Sequence, residues 1–178
     1  LTAILTGMRR GEILGLTWDK VNWVTKKIYV KQSLYKGKII TPKTKTSIRK
    51  IDMADELVRV LREWKLRCPI TKEDFVFPSP EGSIPDPDNF IKRRFDPVIR
   101  KAGIDKIRFH DLRHTYASVL IAKNVPIKYI MNQMGHSSSQ VTLDRYGHLM
   151  PEVHEKGVEA LNSLFPEDKS IKCLAASL

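Results

Sequence analysis

The stretch HDLRHTYASVLI, residues 110–121, combines the pattern of a packed helix with polar side chains that a core does not accommodate. Its apolar residues recur at helical spacing and predict an inward stripe of Leu112, Tyr116, Val119 and Leu120. His110 and Arg113 are neighbours at i,i+3 and therefore share one face of that helix. The stretch predicts a half-buried helix, over residues 110–123, that presents an imidazole and a guanidinium to a site.

The His110–Arg113 pair suits a phosphate group, although the pair alone does not identify one. A guanidinium is a planar fork of donors that matches phosphate oxygens, and a neighbouring imidazole donates to phosphate or accepts a proton. The alternative is that the two side chains cap or bridge structural groups, which is the commoner use of such a pair. The HExxH pattern of zinc proteases is excluded because no Glu follows His110.

The charge of the chain favours a polyanionic partner. Its 178 residues carry 31 Lys and Arg against 20 Asp and Glu, a net charge of +11. Such a surplus is typical of proteins that bind nucleic acid or an anionic membrane. The basic residues concentrate in KGKIITPKTKTSIRK, residues 36–50, and in IKRRFDPVIRKAGIDKIR, residues 91–108. Either stretch alone could be a solvated face, but together with the His/Arg pair they favour a nucleic-acid surface.

Composition also limits the class of protein. Cys68 and Cys173 match neither a disulfide framework nor a zinc-ligand spacing, as in reduced, cytoplasmic proteins. No apolar run approaches the roughly 18 residues that a membrane-spanning helix needs, so we expect no membrane partner. The start, LTAILTGMRR, has neither an initiator Met nor a signal peptide. It indicates a domain that begins partway along a helix of a longer protein.

The hydrophobic pattern predicts an α+β chain that is mainly α. A first helix is interrupted at Gly7, and three β-branched segments predict one antiparallel sheet with strands at 27–32, 37–41 and 47–52. The amphipathic stretch ADELVRVLREWKLRC, residues 54–68, predicts a helix capped by Asp52, with an apolar face of Leu57, Leu61, Trp64 and Cys68. A strand in DFVF, residues 74–77, precedes a Pro-rich loop. Further helices are predicted at 87–103, 110–123, 126–134, 139–146 and 151–164.

Two further motifs carry polar residues beside glycines. In TGMRRGE, residues 6–12, a turn could present one guanidinium while Glu12 and an apolar face anchor it; the alternative is an amphipathic helix with surface arginines. In MGHSSSQVTLDRYGHL, residues 134–149, Tyr146 ends a predicted helix. This tyrosine is either a half-buried packing residue or a nucleophile whose oxygen lies beside a phosphate.

Together these motifs resemble the catalytic domain of the tyrosine recombinases, the phage-integrase family of site-specific DNA strand-exchange enzymes. The matching residues, in chain order, are Arg9 and the supporting Glu12 in TGMRRGE, Lys45 in TKTSIRKIDM, His110 and Arg113 in HDLRH, His136 in MGHSS, and Tyr146 in LDRYGHL. Six catalytic positions in the family's order are a specific signal, whereas one motif alone is weak. The resemblance covers about residues 2–150, and TLDRYGHL is most similar to integrases of temperate phages and integrative elements.

The resemblance implies a fold and a domain division. The fold would be the helical catalytic domain of tyrosine recombinases, α+β and mainly α, with a small three-stranded antiparallel sheet. It would occupy residues 1–165, followed by a C-terminal tail at 166–178. By this resemblance, the family's N-terminal core-binding domain, which clamps the other side of the duplex, would be absent from this chain.

The resemblance also implies a chemistry in a bacterial host. Tyr146 would attack a DNA phosphodiester, His110 would accept its proton, and Lys45 would protonate the departing 5′-oxygen. Arg9, Arg113 and His136 would hold the charge on the phosphate without a metal, ATP or another cofactor. Lys43 is the alternative to Lys45 as the general acid, and His114 is expected to stay outside the chemistry. The residues expected to contact DNA are Lys43, Arg49, Lys92, Arg93 and Arg94.

The implied partners are double-stranded DNA at attachment or core sites and further copies of the chain, as a tetramer in the synaptic complex. The C-terminal segment either packs on its own domain or docks on a neighbouring protomer. Two other functions stay open. A type IB topoisomerase shares the phosphotyrosine chemistry, and a non-catalytic DNA-binding regulator would explain the charge but not the six catalytic positions.

Overall fold

The computed structural model describes residues 1–41 and 48–136, together with Tyr146, Val158 and Leu161. Helices α1 (Thr2–Thr6) and α2 (Arg10–Leu14) are separated at Gly7, whose φ of 61° is left-handed. A Cβ at this position would lie 2.5 Å from the ring of Tyr116, so the turn depends on glycine for conformation and for space. The predicted interruption of the first helix at Gly7 is confirmed.

Two small antiparallel sheets follow. Strands β1 (Val21–Asn22), β2 (Lys27–Val30) and β5 (Arg49–Asp52) form a three-stranded sheet in the order β1-β2-β5. Strands β3 (Ser33–Tyr35) and β4 (Lys38–Ile40) form a separate two-stranded sheet.

The predicted sheet therefore has the right number of strands but one wrong member. The segment at 37–41 does not join β2; it folds back on β3, and β1 occupies the third place instead. The reason is the turn between β3 and β4. Lys36 and Gly37 both have positive φ, 47° and 71°, as a two-residue hairpin turn of the primed type requires.

Helix α3 (Asp55–Lys65) covers the three-stranded sheet with the face that the sequence predicts. Leu57 and Leu61 are buried, and Trp64 and Cys68 pack against the same core. The predicted cap at Asp52 is wrong, because Asp52 is the last residue of β5 and Ala54 is the N-cap. The Asp52 carboxylate instead accepts hydrogen bonds from side chains, Lys27 among them.

The second half of the described chain is helical, as predicted. Helix α4 (Pro87–Phe90), a π-helical turn (Ile91–Phe95) and α5 (Asp96–Lys101) follow one another without a break. Helices α6 (Asp111–Ala122) and α7 (Ile127–Met134) match the next two predictions.

The predicted strand in this half is not formed, and two predicted helices cannot be compared with the structure. The strand predicted at 74–77 is reduced to one bridge between Thr17 and Phe75. The helices predicted at 139–146 and 151–164 lie outside the described residues, apart from the three single positions named above. Among the helices that the structure describes, none is both long and apolar enough to cross a bilayer.

Helix α6 packs on α1 and α7 with a face that differs from the predicted stripe. Its buried residues are Arg113, Tyr116, Ala117 and Ile121. Val119, predicted to point inward, is 52% exposed. The buried residues keep the i,i+3/i+4 spacing of one helix face, and Val119 falls outside it. Arg113 thus belongs to the buried face rather than to an outward one.

Candidate active site

Arg113 lies at the centre of the site and is almost fully buried, with 3% of its surface exposed. Its guanidinium donates to the carbonyl oxygen of Gly7 and, at 2.7 Å, to that of Met134. One side chain therefore joins the α1–α2 turn, α6 and the end of α7. Burial, and next the charge of Arg9, lower the pKa of Arg113 to about 9, which leaves it protonated at neutral pH.

Arg9 is the N-cap residue of α2 and is held by Glu12. Its backbone N–H donates to Glu12 Oε2 at 2.8 Å, and its guanidinium donates to Oε1 at 3.0 Å. The guanidinium also donates to the carbonyl oxygen of Gly135 at 3.3 Å. The Arg9 side chain stays 42% exposed while that of Glu12 is 4% exposed. Arg9 is thus fixed at its base and open to a ligand on its outer side.

Arg49 shares the same carboxylate from the opposite side. It donates to both Glu12 oxygens, at 2.9 and 2.8 Å, and to the carbonyl oxygen of Gln133 at 2.6 Å. Burial alone would raise the pKa of Glu12, but the hydrogen bonds and charges of Arg49 and Arg9 hold it below its ordinary value. Glu12 is therefore ionised between two guanidiniums.

The buried position of Arg49 contradicts the expectation that it contacts DNA. Its side chain is 5% exposed and points inward from β5, on the same face as the buried Ile51. The sequence could have indicated this, because β-strand residues two apart share a face. We therefore assign Arg49 to the support of Glu12 and not to the DNA surface.

Two histidines and the tyrosine form the other half of the site. His110 precedes α6 and is exposed, whereas His114, one turn later, is half-buried. Their rings meet edge to face with centroids 4.9 Å apart. The Tyr146 side chain is buried, and its hydroxyl oxygen lies 2.5 Å from Nδ1 of His114, within hydrogen-bond distance.

His114, which was expected to stay outside the chemistry, lies within hydrogen-bond distance of the Tyr146 hydroxyl group. The two residues are 32 positions apart, so no local pattern links them. The available signal was the i,i+4 spacing of His110 and His114, which places both imidazoles on one side of α6.

The remaining predicted residues are His136, two lysines of the segment after β4 and three basic residues of the π-helical turn. His136 follows Gly135, which ends α7 in a left-handed conformation with φ of 67°. Because Arg9 donates to the Gly135 carbonyl, the backbone places His136 next to the Arg9 site. Lys43 and Lys45 lie outside the described residues. Exposed positions on the π-helical turn are occupied by Lys92, Arg93 and Arg94.

The side chains of the site are chemically suited to a phosphodiester. Arg9 and Tyr146 both lie near enough to Arg113 for their charges to affect its pKa. Two guanidiniums are suited to the oxygens of one phosphate, and a tyrosine hydroxyl beside an imidazole is suited to nucleophilic attack. A tyrosine, two arginines and several histidines on a mainly helical scaffold define the class of the tyrosine recombinase catalytic domain.

Comparison with known proteins identifies the family. The model of the phage integrase family matches residues 1–152, so the chain belongs to this family. A tyrosine recombinase XerC-like protein of Caldanaerobacter subterraneus subsp. tengcongensis is 31% identical, with 93% of this chain and 48% of that protein covered. The ICEBs1 integrase of Bacillus subtilis is 29% identical, and the match covers 91% of this chain and 47% of that protein. The chain thus spans about half the length of these relatives.

Solved structures confirm the fold. The Tn1549 transposon integrase, in complex with a circular intermediate DNA, superposes with a TM-score of 0.75 at 22% identity, over 91% of this chain and 56% of that chain. The catalytic domain of bacteriophage HP1 integrase superposes with a TM-score of 0.60 at 24% identity. The superposition covers 93% of this chain and 81% of that chain. The α+β, mainly α fold expected for a tyrosine recombinase catalytic domain is the fold observed.

Proposed function

We propose that the chain is the catalytic domain of a site-specific DNA recombinase, which integrates or excises a phage or another mobile element. Tyr146 attacks a DNA phosphodiester, forms a 3′-phosphotyrosine link and releases a 5′-hydroxyl. Strand exchange and religation follow. The observation that carries the proposal is the position of the buried Tyr146 hydroxyl, against an imidazole of α6 and close to the guanidinium of Arg113.

The cationic side chains stabilise the charge of the transition state. As phosphorus becomes five-coordinate, negative charge builds on its non-bridging oxygens, and Arg9, Arg113 and His136 hold it with charge-assisted hydrogen bonds. The guanidiniums supply the positive charge that a divalent cation supplies at other phosphoryl-transfer sites. Glu12 and Arg49 position Arg9. Because the phosphotyrosine link retains the energy of the broken bond, religation requires no ATP.

Proton transfers accompany both bond changes. A phenol with a pKa of about 10 is a weak nucleophile at neutral pH and needs a base, which α6 supplies as an imidazole. The departing 5′-oxygen needs an acid, and we assign this role to Lys45, with Lys43 as the alternative. In strand exchange, the 5′-hydroxyl of one DNA strand then attacks the phosphotyrosine link on the partner strand.

The proposed partners are DNA and further copies of the chain. Double-stranded DNA carrying an attachment or core site is the substrate, and four copies of the chain act together in the synaptic complex. The similarity to the Tn1549 integrase, whose structure contains DNA, supports the choice of partner. Without further DNA-binding segments this domain binds DNA weakly and with strong salt dependence, because phosphate contacts dominate its affinity.

Covalent capture tests the proposal. The chain is incubated with a randomised duplex library that carries a nick, so that cleavage releases a short strand and traps the enzyme. Denaturation and sequencing of the covalent fraction then give the cleavage site. We expect a complex that forms with the unaltered chain and not with Tyr146→Phe.

Two results would overturn the proposal. Binding without a Tyr146-dependent covalent complex indicates a regulator. A covalent complex together with relaxation of supercoiled plasmid, but no recombination of paired captured sites, indicates a topoisomerase.

A further inference from the structure

We propose that His114, rather than His110, accepts the proton of Tyr146 during attack. The proposal rests on the function proposed above, in which Tyr146 is the nucleophile. The hydroxyl oxygen and Nδ1 of His114 are 2.5 Å apart, while the ring centroids are 5.8 Å apart at an angle of 53°. The imidazole therefore meets the hydroxyl group with a nitrogen atom and does not stack on the phenol ring.

Burial distinguishes the two histidines. Tyr146 is 4% exposed, so bulk water has little access to its hydroxyl group and a base in direct contact is needed. His114 provides that contact and is half-buried, whereas His110 is exposed at the start of α6. An exposed imidazole three residues before Arg113 is better placed to donate to a DNA oxygen. His110 then contributes to charge stabilisation beside Arg113.

Charged groups around the pair favour the transfer. Asp111 lies three residues before His114 on α6, and hydrogen bonds from Arg108, its main partner, hold the pKa of Asp111 below its ordinary value. An ionised Asp111 stabilises the imidazolium form of His114. On the other side, the positive charge of Arg113 stabilises the phenolate form of Tyr146. The ring of His110 also contacts the ring of His114, edge to face.

The Tyr146 oxygen forms a bond to phosphorus as its proton passes to Nδ1 of neutral His114, which keeps its hydrogen on Nε2. The bond from phosphorus to the 5′-oxygen breaks, and that oxygen takes a proton from the lysine acid. In religation the 5′-hydroxyl attacks phosphorus as its proton returns to the neutral lysine, and the His114 imidazolium returns its proton to the departing Tyr146 oxygen.

The test compares three variants on a nicked duplex that carries the captured cleavage site. His114→Ala removes the imidazole, His114→Asn keeps a polar side chain near Nδ1 without a base, and His110→Asn changes the other histidine. Single-turnover formation of the covalent complex is measured from neutral to alkaline pH. Thermal melts of each variant check that it is folded.

We expect both His114 variants to react about 100-fold to 1000-fold more slowly than the unaltered chain at neutral pH. Between neutral pH and the pKa of Arg113, about 9, their rates should then rise about tenfold per pH unit, because they follow the fraction of tyrosinate. His110→Asn should be slower without acquiring this pH dependence.

Three outcomes separate this assignment from the proposed function. If the His114 variants keep the pH profile of the unaltered chain, His114 is not the base. If His114→Ala reacts faster than the unaltered chain, the hydrogen bond restrains Tyr146 and the assignment is again wrong. If the unaltered chain forms no covalent complex, the proposed function fails and the assignment fails with it.

Discussion

Glu12 shows how one residue can organise a cationic site. It accepts hydrogen bonds from Arg9 at its outer side and from Arg49 at its inner side, and all three lie within a few ångströms. Such a buried group adds little net stability compared with apolar packing, but loss of one partner leaves an uncompensated charge. Its main contribution here is to fix the direction of Arg9.

A first prediction concerns the stability provided by Glu12. Glu12→Gln leaves Arg49 buried without its counter-ion and should lower the free energy of unfolding by about 3–5 kcal/mol at neutral pH. Because the folded-state pKa of Glu12 is lowered, the stabilisation by its charge is complete above the unfolded-state pKa, near 4.5, and is lost as the pH falls through the folded-state value. The deficit of Glu12→Gln should therefore shrink in acid, which urea denaturation at several pH values measures.

The matched control is Glu56→Gln. Glu56 also pairs with an arginine, Arg59, but both side chains are largely exposed. Water screens such a pair, so the substitution should change stability little. Equal deficits for the two variants at neutral pH would show that burial of the Glu12 pair has no special effect.

A second prediction concerns how much of the positive charge of Arg9 remains available to the phosphate when Glu12 is its partner. In Arg49→Met, Arg9 is the one close cationic partner that Glu12 retains among the described residues, so Glu12 cancels more of the charge of Arg9 and covalent-complex formation should slow. The double variant Glu12→Gln/Arg49→Met removes one charge of each sign and restores the charge of Arg9. It should therefore react faster than Arg49→Met alone in the capture assay. A double variant as slow as the single one would contradict this account.

At this scale the sequence indicates residues better than it indicates contacts. Arg9, Glu12 and Arg113 stand in recognisable motifs, and the structure brings them together. Arg49 was expected on the DNA surface because it lies in a basic stretch, yet the strand turns it inward. Contacts between distant segments, such as the one between His114 and Tyr146, depend on tertiary packing that no local spacing encodes.

At the scale of elements, the turn between α1 and α2 sets the direction of Arg9. A third prediction is that Gly7→Ala should destabilise the chain strongly, because it adds strain at a positive φ and a Cβ 2.5 Å from the Tyr116 ring. Gly37→Ala is the matched control. Its φ is also positive, but nothing lies within 4 Å of the added Cβ, so only the backbone cost of about 1 kcal/mol remains.

Urea denaturation and the capture assay measure the two glycine variants together. Gly7→Ala should lose more stability than Gly37→Ala and should also form the covalent complex more slowly, because its turn carries Arg9 and the carbonyl group bound by Arg113. Equal losses in the two variants would mean that the packing of Gly7 against Tyr116 contributes nothing.

The helices were more predictable than the strands for a physical reason. Residues 54–68 have a long amphipathic pattern, residues 110–123 have many apolar residues at helical spacing, and helices formed at both places. The short strands have weak patterns, so turn geometry decides their pairing. The positive φ of Lys36, which is not a glycine, gave no signal in the sequence, and the hairpin at β3 and β4 was therefore assigned to the wrong sheet.

At the scale of the whole molecule, the net charge is +11, and the arginines differ in how closely acidic side chains pair with them. On α3, Arg59 is held by Glu56 and Glu63. On the π-helical turn, Arg93 and Arg94 are exposed beside Lys92. Total charge, which the sequence gives directly, predicts a polyanionic partner; the pairing of each arginine, which needs the structure, indicates which face meets it.

A fourth prediction follows for DNA affinity. Phosphate contacts release condensed counterions, so the logarithm of the binding constant falls with the logarithm of salt concentration, with a slope of about −0.9 per neutralised phosphate. Arg93→Gln/Arg94→Gln should weaken binding at low salt and make the slope shallower by about one unit per lost contact. Fluorescence anisotropy with Tyr146→Phe as the background measures binding without cleavage.

Arg59→Gln in the same background is the control for this prediction. It removes an exposed positive charge that two glutamates already neutralise, so the salt slope should stay unchanged. If the control and the double variant alter the slope equally, then the total charge governs DNA binding and the π-helical turn is not a phosphate-contacting surface. A change confined to the double variant assigns that turn to the DNA interface.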